Sequence, residues 1–245
     1  MHRQFLKRFA KSARPKYGDT NKGFTEPEVQ AFFKAVDNPK LRLLFSFQAQ
    51  LGLRIGEAVR INIKDMDFQT RELTIKTEKT RVTNTLLLPV PLFRLALEHI
   101  RANESKIEAS GGFLFFKEDG KYSHRDEQWL SSDYVRNEFR RYVQMIDLNQ
   151  AYEMSDETIY SRTPRQLHRL TTHSLRHYAI THFAKSTNGN VVLTSRFARH
   201  SNPIITMRYI SKDNEELFKN INFAFDKTKI ETIKQIITSK SFTTR

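Results

Sequence analysis

The chain has no cysteine among its 245 residues. Without thiols it has no disulfide framework, no thiolate metal site and no cysteine nucleophile. No apolar run approaches the roughly 20 residues of a membrane-spanning helix, and the first eight residues lack the apolar segment of a signal peptide. These absences are typical of a cytoplasmic protein.

Acidic residues are scarce relative to basic ones. The 27 Asp and Glu residues face 41 Lys and Arg residues, which gives a formal net charge of +14. Such an excess attracts polyanions, because each neutralised phosphate releases condensed counterions. A basic surface is also compatible with binding to anionic lipid, or with a solvated surface that binds no partner. The charge favours DNA or RNA as the partner and says nothing about chemistry.

Residues 1–23 are basic and irregular, and Pro15, Gly18 and Gly23 interrupt any helical pattern. We interpret this segment as a flexible arm. It is either a contact to the DNA backbone or a solvated tail. The candidate DNA contacts in the arm are Lys7, Arg8, Lys11, Arg14 and Lys16.

From residue 24 onward the pattern predicts one domain, residues 24–245, that is mainly α with a small antiparallel β-sheet (α+β). Thr25 and Glu28 form a capping box at the start of a helix. Gly52 is placed as a left-handed helix cap. Alternating apolar residues predict a hairpin of 72–75 and 85–88, and residues 147–168 are interpreted as a loop. Further helices are predicted over 41–51, 54–59, 92–100, 133–146, 173–185, 191–199, 203–210, 213–219 and 227–237. Residues 113–116 are either a buried strand or a core-facing turn.

Several polar residues sit in surroundings that call for a partner. Arg54 lies among apolar neighbours, so it needs an anion; an ion pair with Glu57, three residues on, satisfies this requirement equally well. His173 and Arg176 lie on one helical face. His173 and His177 are spaced to share a zinc ion, but the adjacent Arg176 would repel the metal and no carboxylate is near.

His200 and Tyr209 complete the set of candidate residues. Taken singly, a histidine after a helix is often a C-cap and a tyrosine beside Ile210 is usually core. Taken together, these residues match what phosphodiester cleavage needs: cations for the phosphate oxygens, a nucleophile, and an acid for the leaving oxygen. Two arginines can clamp a phosphate without a metal, and tyrosine can attack it.

The order of these residues resembles the catalytic domain of the tyrosine recombinases, or phage integrase family. LGLRIGEA at 51–58 is similar to the family's first box, TGLRISEA. HSLRH at 173–177 is similar to HxLRH, and RHSNPIITMRY at 199–209 is similar to GHSSISTTQIY with the same spacing from histidine to tyrosine. The resemblance spans about residues 24 to 215 and implies the family's catalytic-domain fold.

The resemblance implies a role for each matching residue. Arg54 and Arg176 clamp the scissile phosphate, while His173 and His200 hydrogen-bond its oxygens or move the nucleophile's proton. Tyr209 becomes the nucleophile and leaves a 3′-phosphotyrosine and a free 5′ hydroxyl. Glu57 braces Arg54, and His177 helps to organise the pocket. No metal, cofactor or nucleotide takes part.

The family's general-acid lysine lies in the turn between the second and third strands. Lys79, followed by Thr80, fits the family pattern SKTG best, and Lys76 is the alternative. The turn here is longer than is usual in the family.

Two features depart from the family pattern. Only residues 1–23 precede the capping box, whereas family members usually carry an N-terminal core-binding domain there, so that domain is expected to be absent from this chain. Arg199 stands where the family usually has glycine before the histidine. We expect it to bring either a different local geometry or an added phosphate contact, since glycine permits a left-handed backbone.

The resemblance implies a site-specific recombinase that acts as a tetramer on two DNA duplexes and is a monomer or weak oligomer when free. It implies nucleoid association in the cytoplasm. A terminal helix within 225–245, with Ile230, Ile233, Ile236 and Ile237 on one stripe, packs either on a neighbouring subunit or on its own core. The alternatives are a type IB topoisomerase-like enzyme and a non-catalytic DNA-binding accessory protein.

Overall fold

The computed structural model describes residues 22–76, 83–118, 128–154, 166–200 and 202–210. The chain divides into two units between Tyr209 and Ile210, and all the elements below lie in the first. The predicted helices 213–219 and 227–237, residues 1–21 of the basic arm and the terminal isoleucine stripe lie outside the described residues.

Helices account for more than half of the described residues of this unit. The capping box is confirmed: the Glu28 carboxylate accepts a 2.9 Å hydrogen bond from the Thr25 amide at the start of the first helix. Gly52 is left-handed, with φ 59°, at the end of the second helix, as predicted. The helices are α1 (Glu26–Ala35), α2 (Pro39–Leu51), α3 (Ile55–Val59), α4 (Val90–Ala102), α5 (Glu104–Ala109), α6 (Ser132–Met145), α7 (Thr172–Ser186), α8 (Val191–Ala198) and α9 (Pro203–Thr206), followed by a 3₁₀ turn, Met207–Tyr209.

The predicted hairpin is part of a three-stranded antiparallel sheet in the order β1-β2-β3. The strands are β1 (Met66–Asp67), β2 (Glu72–Lys76) and β3 (Thr83–Leu87), with Leu73 opposite Leu86. Residues 113–116 form a core-facing turn rather than a strand, with isolated bridges at Phe113 and Phe116. The fold class, mainly α with a small antiparallel sheet, is confirmed.

The loop interpretation of residues 147–168 is wrong for two segments, which form strands. Strand β4 (Ala151–Met154) pairs with β5 (Gln166–His168) in an antiparallel ribbon. The segments show no apolar alternation, so periodicity could not identify them. Their backbone groups are satisfied by pairing with each other.

An aromatic cluster joins α1, α2 and α6 in the core. Phe32 is fully buried, and its ring lies 5.3 Å from Phe45 and 5.0 Å from Phe139. Phe24, from the segment before α1, lies 5.4 Å from Phe32. The α2 helix runs on from this cluster to pack against α7, so the same helix carries the core and the turn at Gly52.

We expect Phe32→Ala to lower the free energy of unfolding by about 3–5 kcal/mol, because it removes a fully enclosed ring and leaves a cavity. Urea denaturation followed by circular dichroism measures this change. Phe68→Ala is the control: Phe68 is 45% exposed, so its loss should cost under about 2 kcal/mol. Equal losses for the two variants would contradict the placement of Phe32.

Candidate active site

Arg54 and Glu57 form the first part of the candidate site at the start of α3. Glu57 accepts two hydrogen bonds from Arg54, one from its backbone amide at 2.9 Å and one from its guanidinium at 2.9 Å. The Glu57 side chain is fully buried, while that of Arg54 is 26% exposed. The carboxylate therefore fixes a guanidinium that still reaches solvent and can meet an anion.

Arg176 is buried on α7 and joins two helix ends. Its guanidinium donates to the carbonyl of Gly52, just after α2, and to that of Ala198, the last residue of α8. Carbonyls at helix C-termini lack helical partners and carry the negative end of the dipole, so a cation is favourable there. Burial, and then repulsion by Arg199 and Arg54, lower the pKa of Arg176 to about 9, which leaves it protonated at neutral pH.

Tyr209 lies in the 3₁₀ turn after α9, beside two histidine rings. Its ring centroid is 5.2 Å from that of His177 and 6.0 Å from that of His200. His177 in turn lies 4.8 Å from His173, one turn earlier on α7. The structure thus brings the predicted nucleophile and all three predicted histidines into one group.

Thr206 holds His200 and was not identified from the sequence. Its buried hydroxyl lies 3.0 Å from the Nδ1 atom of His200. Contact at Nδ1 leaves Nε2 as the nitrogen that can meet a substrate. A threonine in this position has no distinctive pattern, so only the three-dimensional contact identifies it.

Burial and nearby cations keep the three imidazoles neutral. Desolvation and then Arg176 lower the pKa of His177 and of His200 to about 4. The pKa of His173 is also lowered to about 4, by desolvation and then by His177 and Arg176. Because His173 as a whole stays exposed to solvent, water screens part of this effect. At pH 7 each ring is available to accept a proton.

Arg199 corrects one prediction from the sequence. Its backbone is left-handed, with φ 54° and ψ 42°, so the expected change of local geometry is wrong: arginine adopts the conformation that glycine would allow. Its side chain is 3% exposed and turned inward on Glu57, so in this conformation it makes no phosphate contact at the surface. Steric rules disfavour such a backbone for arginine without excluding it.

Several predicted residues cannot be placed. Lys79 and the arm residues Lys7, Arg8, Lys11, Arg14 and Lys16 lie outside the described residues. Lys76 is exposed at the end of β2.

In the part of the chain that the structure describes, no group of three or more acidic, histidine or cysteine side chains is arranged to hold a metal ion. Among the same residues, no helix has the length and apolarity to cross a bilayer.

Solved structures with the same fold are tyrosine recombinases. The Tn1549 transposon integrase in complex with a circular intermediate DNA matches with TM-score 0.64 at 15% identity, over 89% of this chain and 74% of that one. The XerH recombinase bound to palindromic difH substrate matches with TM-score 0.58 at 17% identity, over 85% of this chain and 55% of that one. The XerA recombinase matches with TM-score 0.60 at 14% identity, over 86% of this chain and 66% of that one.

These likenesses establish the fold, which is that of tyrosine recombinase catalytic domains. The model of the phage integrase family matches residues 22–216, most of the chain, and the chain belongs to that family. It spans 55% of XerH and 66% of XerA, so it corresponds to only part of those proteins. No curated protein sequence matches it.

We expect the ring protons of His177 and His200 to titrate in NMR spectra with midpoints near pH 4. The unfolded chain in urea is the control and should titrate near 6.5. Since folding lowers both pKa values, the stabilisation is present above about pH 6.5 and is lost as pH falls toward 4. Midpoints near 6.5 in the folded protein would contradict the site.

Proposed function

We propose that this protein is a site-specific DNA recombinase that cleaves and rejoins strands through a 3′-phosphotyrosine at Tyr209. One observation carries the proposal: Tyr209 lies within 5.2 Å and 6.0 Å of two histidine rings, beside a group of buried or half-buried arginines. The family supplies the reaction class, and double-stranded DNA is the proposed partner.

Cleavage begins when the Tyr209 hydroxyl attacks the phosphorus atom. Its proton passes to a neutral imidazole of His200 or His173, because the low histidine pKa leaves these nitrogens unprotonated at pH 7. The bond from phosphorus to the 5′ oxygen breaks, and the strand stays attached through its 3′ phosphate. The ester bond is conserved, so the reverse attack by a 5′ hydroxyl rejoins DNA without an energy source.

Positive charge stabilises the phosphate during this attack. Arg54, Arg176 and Arg199 together with Glu57 carry three positive charges and one negative, an excess of two. Negative charge builds up on the phosphate oxygens as the nucleophile adds, so this excess favours the transition state over the ground state. Arg54 is the more accessible of the two proposed clamping arginines and Arg176 the more buried.

The leaving 5′ oxygen needs a proton from an acid. We assign this role to Lys79 in the segment between β2 and β3, with Lys76 as the alternative. Lys76 is the last residue of β2 and is paired with Thr83 in the sheet. Its position in the ladder fixes its backbone.

The proposed assembly is a tetramer on two duplexes, in which paired strand exchanges use one Tyr209 from each subunit. The structures of XerH and of the Tn1549 integrase are complexes with DNA. The net charge of +14 suits binding to two polyanionic duplexes. Association with a mobile element and with the nucleoid belongs to the same proposal.

The first test is a covalent trap with fragmented host and element DNA. After incubation and denaturation, the strands linked to protein are sequenced for the wild type and for Tyr209→Phe, which keeps the ring and removes the hydroxyl. We expect wild-type adducts at a small number of sites and none with Tyr209→Phe.

Other outcomes of the trap would count against the proposal. Equal adducts in both proteins would remove Tyr209 as the nucleophile. Wild-type adducts without sequence preference would favour topoisomerase-like relaxation. No adduct with either protein would overturn the cleavage reaction.

The acid is tested with a DNA whose bridging 5′ oxygen is sulfur, since a thiolate leaves without protonation. Lys79→Ala should slow cleavage of the oxygen substrate by about 100-fold or more and cleave the sulfur substrate at nearly the wild-type rate. Lys76→Ala is the matched control. A defect confined to Lys76→Ala would transfer the role to Lys76.

A further inference from the structure

Arg199 occupies a backbone conformation that disfavours its own residue type. It is left-handed at the end of α8, and its amide donates a 3.1 Å hydrogen bond to the Arg196 carbonyl. The other described non-glycine residues with positive φ are Asn188 and Asp147, whose short polar side chains tolerate it, and Arg71. The left-handed turn does not favour arginine, so the contacts of the Arg199 side chain are what distinguish this residue.

The side chain ties the end of α8 to the turn between α2 and α3. Its guanidinium donates to the Leu51 carbonyl at 3.2 Å, the Gly52 carbonyl at 2.9 Å and the Glu57 carboxylate at 3.3 Å. Only 3% of the side chain is exposed. These acceptors are more than 140 residues away in sequence, so the contact is a tertiary one.

The same two acceptors hold the proposed phosphate clamp. Glu57 receives Arg54 on one carboxylate oxygen at 2.9 Å and Arg199 on the other at 3.3 Å. The Gly52 carbonyl receives both Arg176 and Arg199. Arg199 therefore contacts Glu57, which orients Arg54, and the Gly52 carbonyl, which orients Arg176. Its own side chain is buried and does not face a substrate.

We propose that Arg199 is a positioning residue for strand cleavage, which holds Glu57 and the Gly52 carbonyl so that Arg54 and Arg176 keep their geometry around the scissile phosphate. It also adds a third positive charge behind them. This inference rests on the proposed function. Loss of the Arg199 side chain should slow the chemical step and leave the affinity for DNA unchanged, because the guanidinium is buried.

Two substitutions distinguish the contribution of the Arg199 side chain from that of its backbone conformation. Arg199→Gly keeps the left-handed turn without strain and removes the guanidinium. Arg199→Lys keeps a cation but not the planar fork that reaches several acceptors at once. Arg196→Ala removes an exposed arginine three residues earlier on α8 and is the matched control.

The measurement uses a duplex oligonucleotide that carries a site recovered by the covalent trap. We expect Arg199→Gly to form adducts about 100-fold more slowly at saturating DNA, with half-saturation within about threefold of wild type. Arg199→Lys should recover part of the rate, and Arg196→Ala should match wild type. All rates are taken below the melting range of every variant.

Two results with the oligonucleotide would overturn the inference. One is a rate for Arg199→Gly within threefold of wild type. The other is a defect that appears only as weaker DNA binding, which would make Arg199 a DNA contact after all.

A DNA-free arm separates failure of the inference from failure of the proposed function. Melting temperatures of Arg199→Gly, Glu57→Gln and the double variant form a cycle, and the double shift should be smaller than the two single shifts combined. Additive shifts would overturn the contact itself. If the wild type forms no adduct while the shifts are non-additive, the proposed function and the cleavage role of Arg199 fail, and the contact alone stands.

Discussion

A buried carboxylate is the constraint on which the arginine group depends. The Glu57 side chain has no exposed surface, and an unpaired charge in that position would be strongly destabilising. It is met by the guanidinium of Arg54, the backbone amide of Arg54 and the guanidinium of Arg199. One acid thus draws together the start of α3 and the end of α8, which are distant in sequence.

The carbonyls at the ends of α2 and α8 impose a second requirement on the same place. Arg176 reaches one carbonyl from each helix end, and Arg199 shares the one at Gly52. Cations at helix C-termini are favourable before any ligand is present. The protein can therefore keep several guanidiniums close together without a bound anion, because internal acceptors offset much of their mutual repulsion.

Much of the fold follows from local sequence signals. The capping box at Thr25, the left-handed cap at Gly52 and the apolar alternation around Leu73 each depend on residues within a few positions, and the structure has each of them. The β4-β5 ribbon was not predictable, because its segments carry no alternation and their pairing is a long-range event. The sequence motifs indicated that Arg54, Arg176, the three histidines and Tyr209 would come together, because the order and spacing of these residues match a known family.

The inward course of Arg199 could not be predicted in this way. From the sequence, an arginine in place of glycine indicates a changed turn or an outward contact, and both ideas treat the turn and the side chain separately. In the structure the left-handed turn is retained, and it directs the side chain back toward Glu57. Only knowledge that Glu57 and Gly52 lie opposite that turn would have favoured this orientation.

The arginine group also affects the histidines. Burial is the main cause that lowers the pKa of His173, His177 and His200, and the positive charge of Arg176 lowers each of them further. These rings are neutral at pH 7. Under the proposed function, a bound phosphate would offset the charge of the arginines and raise the histidine pKa, so that binding of the anion would be coupled to acceptance of the proton from Tyr209.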